Sequence, residues 1–222
     1  MNDQLLSLKI VCFGDSLTLG YQSPTPRFPF VENIPYGTYL QEWVGTRGQV
    51  LVRAVCGETT QDMRGRLQRD MLEQRPHVAI ILGGTNDLSL GISPAAIMEN
   101  LTFLYEQAQA HGILPVAVTV PSLREDCWQN KEAEGEASGS GMALAIEQAI
   151  AQRVVLNQLL QDFGVERQFP VVDWFVETCE PKTQALASEY SNDGLHLTTA
   201  GYRKLAEMIW TQVLEDRLKK LD

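Results

Sequence analysis

Five short runs of this chain are apolar at most positions: residues 8–13, 50–55, 78–82, 114–120 and 171–174. Runs of this length, rich in Val, Ile and Leu, predict strands covered on both faces, as in a parallel sheet. Between them the apolar positions change period. Tyr39, Leu40, Trp43 and Val44 mark one face of a helix over residues 38–45. Met63, Leu67, Met71 and Leu72 do the same over 60–73, where Arg75-Pro76 closes the segment. Ser93 as N-cap and Pro94 at the first position open a helix to Ala110, ended by Gly112. A longer one is predicted over 143–163 with Gly164 as its stop. Thr198 or Thr199 caps a last one running to about Leu218, whose basic Arg217, Lys219 and Lys220 suit a helix C-terminus.

Strands alternating with helices imply right-handed crossovers. The expected fold is an α/β, three-layer α/β/α sandwich of about five parallel strands. No repeat or linker interrupts residues 1–222, which read as a single domain. Two stretches break the rhythm. Over residues 21–36, Pro24, Pro26, Pro29 and Pro35 lie among Phe28, Phe30 and Tyr36, which predicts an irregular loop at the head of the first strand. Its aromatics either wall a pocket or pack on the body. Residues 122–141 are polar and acidic, with Gly135, Gly139 and Gly141, and predict a mobile loop with a helical turn near Cys127-Trp128.

The 222 residues carry a formal net charge of −10, so a nucleic-acid partner is not expected, because phosphate backbones call for a basic face. Docking on anionic lipid by charge is disfavoured for the same reason. No window reaches the roughly 18 apolar residues of a membrane span. The first nine residues hold an early acid and no basic stretch, so they do not read as a signal peptide. Cys12, Cys56, Cys127 and Cys179 are widely spaced, which predicts buried free thiols rather than a zinc site or disulfide framework. The cytoplasm is the expected compartment. The sequence sets no oligomeric state.

Chemistry gathers where the apolar runs stop. The first run ends in Gly14-Asp15-Ser16-Leu17-Thr18, the second near Gly57, the third in Gly83-Gly84-Thr85-Asn86-Asp87. A late loop adds Asp193-Gly194-Leu195-His196. Parallel strands place their carboxyl ends on one rim, where such distant residues can meet. The set holds a hydroxyl, an imidazole, a carboxylate and amide donors, the parts of a serine acyl-transfer site. Ser16 needs a base to take its proton, and His196 is the residue type suited to that near neutral pH. Asp193, three residues earlier, is placed to orient the imidazole. Backbone N–H groups of Ser16 and Gly57, with the Asn86 amide, are the candidate oxyanion donors. Asp15 and Asp87 are expected to brace turns. His77, at a strand entrance, and His111, at a helix end, are expected to be structural or solvent-facing; Trp128, Trp174 and Trp210 are expected to pack.

These four blocks, in this order, resemble the SGNH, or GDSL, esterase/lipase family over residues 9–201. The second block departs from the pattern: Arg53-Ala54-Val55-Cys56-Gly57-Glu58 lacks the Asn that often precedes this glycine. The resemblance implies a flavodoxin-like sandwich, no cofactor and no metal. It implies hydrolysis of carboxylic esters or thioesters of a small-molecule acyl substrate, with Ser16 as nucleophile and residues 122–141 as a lid or a solvated loop. Two other functions stay open on the residues alone. One is a metal-dependent phosphoesterase built on Asp15, Asn86, Asp87 and His196; the other is a non-catalytic, flavodoxin-like binding module.

Overall fold

The computed structural model describes residues 7–27, 29–125 and 140–219. Strands β1 (Leu8–Gly14), β2 (Gly48–Ala54), β3 (Val78–Leu82), β4 (Leu114–Val118) and β5 (Val171–Val172) form one sheet in the order β2-β1-β3-β4-β5. Every pairing is parallel, giving the doubly wound order of flavodoxin-like folds. β3 is buried at all five positions, as its unbroken apolar run requires. β2 is half-buried because it lies on an edge.

The helices are α1 (Ser16–Leu19), α2 (Tyr36–Val44), α3 (Thr60–Leu67), α4 (Thr85–Ser89), α5 (Pro94–Ala110), α6 (Ser140–Arg167), α7 (Trp174–Thr178), α8 (Thr199–Ile209) and α9 (Glu215–Lys219). Successive residues of β1 face opposite layers. On one side Cys12 meets α2, where Gly37 allows close approach: a Cβ there would sit 3.3 Å from Cys12 Sγ and 2.7 Å from Val52 Cγ2. On the other, the Phe13 ring lies 4.2 Å beneath the Arg66 guanidinium of α3. Helix α2 packs on α8, and α5 packs between α3 and α6. The apolar core runs through the sheet between these layers.

Several expected boundaries move. Prolines do not exclude pairing from the whole of the loop after α1: Tyr21–Gln22 and Glu32–Asn33 form an antiparallel ribbon. Pro24, Pro26 and Pro29 sit in its tip, and Pro35 caps α2, so no proline occupies a paired position. Helix α3 continues through a π-helical turn, Gln68–Leu72, closed by Glu73 N–H donating to the Gln68 carbonyl. A second π turn, Trp210–Leu214, joins α8 to α9. Cys12 is buried, but Cys56, in the loop past β2, is exposed and Cys179 is half-buried. The fifth strand stops at Val172, because Asp173 turns to cap α7 by accepting from Val176 N–H.

The predicted loop over 122–141 is a loop only in part. Ser122 and Leu123 are buried and Ser140 already begins α6. Residues 126–139, with the predicted turn at Cys127-Trp128, lie outside the described residues.

Gly164 does not end the long helix, which continues to Arg167. Its missing side chain serves packing: a Cβ would lie 2.2 Å from Val171 Cγ2 on β5 and 3.3 Å from the Phe169 carbonyl. Helix propensity alone favours Gly→Ala by about 1 kcal/mol, whereas overpacking costs about 1–3 kcal/mol. Gly164→Ala is therefore expected to lower stability in urea unfolding. Adding Val171→Ala should recover the loss; a stabilised single variant would contradict the packing account.

Candidate active site

The carboxyl ends of three strands lie level. Gly14 is in register with Ala54 of β2 and Leu82 of β3, so the loops bearing Ser16, Gly57 and Asn86 spring from adjacent points on one rim. Gly14 is itself required: a Cβ would fall 2.2 Å from the Leu82 carbonyl oxygen and 2.3 Å from Thr18 Oγ1. Asp15 turns the chain from strand to helix. Its carboxylate accepts from Leu17 N–H at 2.9 Å, and its carbonyl accepts from Thr18 and Leu19. Ser16 is thus the first residue of α1, 8% exposed at the rim.

The opposite partner comes from a loop closed by the Ser191–Leu197 bridge. Ser191 Oγ donates to the His196 carbonyl at 2.7 Å and accepts from Gly194 N–H at 2.9 Å. Gly194 takes the left-handed conformation (φ 78°) that this tight turn needs. Asp193 Oδ1 accepts from the N–H groups of Leu195 (2.9 Å) and His196 (2.7 Å), an Asx turn. That leaves Oδ2 facing His196 Nδ1 at 2.8 Å, while His196 Nε2 stands 3.2 Å from Ser16 Oγ. A proton on Nδ1, against the carboxylate, leaves Nε2 as the acceptor for the serine hydroxyl. Burial alone would raise the Asp193 carboxyl, but donors from His196, Ser23 and Leu195 outweigh it and hold the group well below the usual range.

Asn86, in the first turn of α4, points its Nδ2 at the Glu58 carbonyl (2.8 Å) and stands 3.5 Å from Asp15 Oδ2. Glu58 follows Gly57, which adopts φ 79° beyond the end of β2. Val55 N–H, just before it, donates to the Gly14 carbonyl at 3.2 Å. The loop past β2 is therefore tied to both the turn that bears Ser16 and Asn86. Asp87 braces from below, accepting from Thr60 N–H and, at 2.6 Å, from Thr60 Oγ1 at the head of α3. His77 is distant in role: its Nδ1 accepts from Lys9 N–H at the strand entrance. His111 Nδ1 stands 2.8 Å from the Gln107 carbonyl at the end of α5. Trp174 is fully buried and Trp210 packs edge-on to Trp43.

Four contributors escaped sequence reasoning. Arg66 donates to Glu58 (2.6 Å), to the Gly14 carbonyl (2.9 Å) and to the Arg53 carbonyl (3.2 Å), joining two strand ends and the Gly57 loop. Arg124 N–H donates to the Gly194 carbonyl at 2.8 Å, and its guanidinium bonds the Leu186 and Ser191 carbonyls. Ser23 donates its hydroxyl to Asp193 Oδ2, and the Tyr21 ring lies 4.5 Å from the His196 ring. No spacing rule links residues about 170 positions apart, and the basic side chains look like ordinary surface charge in sequence.

Residues 12–204 match the model of the GDSL-like Lipase/Acylhydrolase family. The chain belongs to that family. Among similar structures is a GDSL-like lipase from Bacteroides thetaiotaomicron VPI-5482 (TM-score 0.73, 20% identity, 94% of this chain and 88% of that one). A lipase/acylhydrolase from Enterococcus faecalis reaches a TM-score of 0.67 at 24% identity, over 94% of this chain and 96% of that one. An acetyl xylan esterase gives 0.65 at 17% identity, over 93% and 100%. At these identities the likeness is one of fold. A Bacillus subtilis (strain 168) protein, "Uncharacterized lipoprotein YqeF", is 34% identical over 125 residues, and the match spans about half of each chain. Among the described residues no helix is long and apolar enough to cross a membrane.

The Asp that gives this family's first block its second letter is fully buried here. Burial pushes the Asp15 carboxyl up to about 7, against the Leu17 N–H bond and the field of His196 and with that of Asp87. The folded protein thus holds this proton more tightly than the unfolded chain does, where Asp titrates near 3.9. The resulting stabilisation is complete below about pH 4 and is lost as pH rises through about 7. Asp15→Asn removes the titration while keeping an oxygen for Leu17. Its melting temperature relative to the parent is expected to climb between about pH 4 and 8. Parallel pH profiles for the two proteins would refute the buried-acid account.

Proposed function

We propose that the chain is a serine hydrolase of carboxylic esters that works through an acyl-enzyme. The observation that carries this reading is the unbroken relay from Ser16 Oγ through His196 to Asp193, with separations of 3.2 and 2.8 Å. Ser16 Oγ attacks the acyl carbonyl while His196 Nε2 takes its proton. Asp193 holds the Nδ1–H and stabilises the imidazolium. The carbonyl oxygen, now negative, is received by the N–H groups of Ser16 and Gly57 and by Asn86 Nδ2. Collapse of the adduct breaks the ester C–O bond, and His196 returns the proton to the departing alcohol. Water, deprotonated by the same imidazole, then releases the acid and restores Ser16.

Asn86 suits its part because one of its amide protons reaches its neighbour, Asp15, only at 3.5 Å, a length at which little is lost by turning to substrate. The several histidines a dinuclear phosphoesterase would recruit are not gathered at this rim, since His77 and His111 bond elsewhere. Short acyl groups, acetyl above all, are the proposed substrates, a choice supported by the fold shared with the acetyl xylan esterase; thioesters are the neighbouring class. A cytoplasmic setting accords with Cys12, Cys56 and Cys179, none of which bonds to another. The lipoprotein name of the Bacillus relative favours the cell envelope instead, and fractionation of the native host separates the two.

Purified protein is expected to hydrolyse p-nitrophenyl acetate and to be labelled on Ser16 by a fluorophosphonate. Ser16→Ala should abolish both, and Asn86→Ala should lower kcat on the order of 10²–10³-fold. Turnover should fall on the acid side, as it does wherever a general base must be free to accept a proton. Hydrolysis that survives Ser16→Ala and is lost to a chelator would overturn the serine mechanism in favour of a metal-dependent one.

A further inference from the structure

The ribbon after α1 touches the acid and the base together. Its Ser23 hydroxyl donates to Asp193 Oδ2, the oxygen that also receives His196 Nδ1–H. Its Tyr21 ring covers the imidazole, with centroids 4.5 Å apart and planes tilted by 55°. The ribbon does not depend on Ser23 for its own place. Ile34 N–H closes onto the Gly20 carbonyl at 2.9 Å. Tyr202 Oη of α8 donates to the Tyr21 carbonyl at 2.7 Å. Buried Gln22 Oε1 accepts from Thr199 N–H at 2.9 Å, satisfying a donor at the first turn of α8.

We infer that Ser23 is a positioning residue of the reaction, acting through Asp193. This rests on the Ser16–His196–Asp193 reading above. Oδ1 of Asp193 already accepts from two backbone N–H groups and faces the Ser191 hydroxyl at 3.3 Å, so Oδ2 alone is turned toward His196, and it is shared between the imidazole and the Ser23 hydroxyl. The carboxylate is largely out of water, with 18% of its side chain exposed, where each donor to the charged form counts for more than at the surface. Ser23 therefore does two things. It keeps Oδ2 aimed at Nδ1, and it draws charge from the carboxylate so that the imidazolium is not over-stabilised. A carboxylate without that donor is more basic and pulls harder on the Nδ1 proton.

Other titratable or charged groups reach the pair from each packed element. They are Asp15 on the β1–α1 turn, Tyr21 on the ribbon and Tyr202 on α8, with Arg124 after β4 bonded to the Ser191 carbonyl of the same loop. All are unchanged by substitution at Ser23, so a displaced profile is assignable to that hydroxyl.

The test is steady-state hydrolysis of p-nitrophenyl acetate from about pH 5 to 9 by the parent, Ser23→Ala, Ser23→Thr and Ser16→Ala, with melting curves for each. Ser23→Ala is expected to lower kcat about tenfold, the scale of one hydrogen bond to a charged group, with KM nearly unchanged. The acid limb of its kcat/KM profile should move to higher pH. Ser23→Thr, which keeps the hydroxyl, should restore both. A Ser23→Ala protein with parental kcat and acid limb beside an inactive Ser16→Ala overturns the inference and leaves the serine mechanism standing. The inference falls in the same way if Ser23→Ala loses melting temperature alone. Full activity in Ser16→Ala overturns both. Should Ser23→Ala fail to fold, Ser23→Cys, a weaker donor, is expected to fall between the parent and a tenfold loss, and parental behaviour there would count against the inference.

Discussion

The site depends on the register of β1 between its two neighbours. Gly14 stands opposite Ala54 on one side and Leu82 on the other, and paired strands lie only about 4.8 Å apart. Three loops of different origin in the chain therefore leave the sheet side by side. Slipping any strand by one residue would exchange the faces of its side chains. Such a slip is strongly opposed here, since β1 and β3 are apolar and buried almost throughout. The geometry of the rim is inherited from the core.

What the sheet cannot align is the loop of Asp193 and His196, which belongs to no strand of it. That loop is held instead from three directions: by Arg124 on its Gly194 and Ser191 carbonyls, by the ribbon through Ser23 and Tyr21, and by its own Ser191 and Asx turns. Between the strand ends Arg66 plays a comparable part. It is nearly buried, and that is tolerable because its donors are met by Glu58, Asp70 and two main-chain carbonyls while its plane lies on Phe13. Polar groups are thus concentrated at the rim, while β3 behind it is apolar and buried at all five positions. The segment after β4, with Ser122 and Leu123 buried, belongs to this scaffold as far as it is described.

Elements whose making is local were legible in the sequence. Ser93 caps α5 with Pro94 behind it, Thr198 caps α8, and the run 78–82 is a strand from end to end. The blocks around Ser16, Gly57, Asn86 and His196 were visible because each is a compact turn whose residues must be neighbours in the chain. Gly164 misled because glycine has two uses. The helix runs through it, since what mattered was room for Val171, a residue that sequence alone does not place beside it. The prolines of residues 24–35 misled similarly: they forbid pairing only where they themselves stand.

By itself, then, the amino-acid order determined the alternation of strand and helix, the level rim that follows from parallel strands, and which turns carry a hydroxyl, an amide, a carboxylate and an imidazole. Period and capping are properties of a few consecutive residues, and they survive without knowledge of the rest. Only the tertiary structure decided that Ser16 and His196 stand within hydrogen-bonding distance, that Ser23 shares Asp193 with the His196 imidazole, and that Arg66 and Arg124 hold the rim. Those contacts join residues between 8 and 180 positions apart. Their existence is a consequence of packing, which no local pattern of side chains encodes.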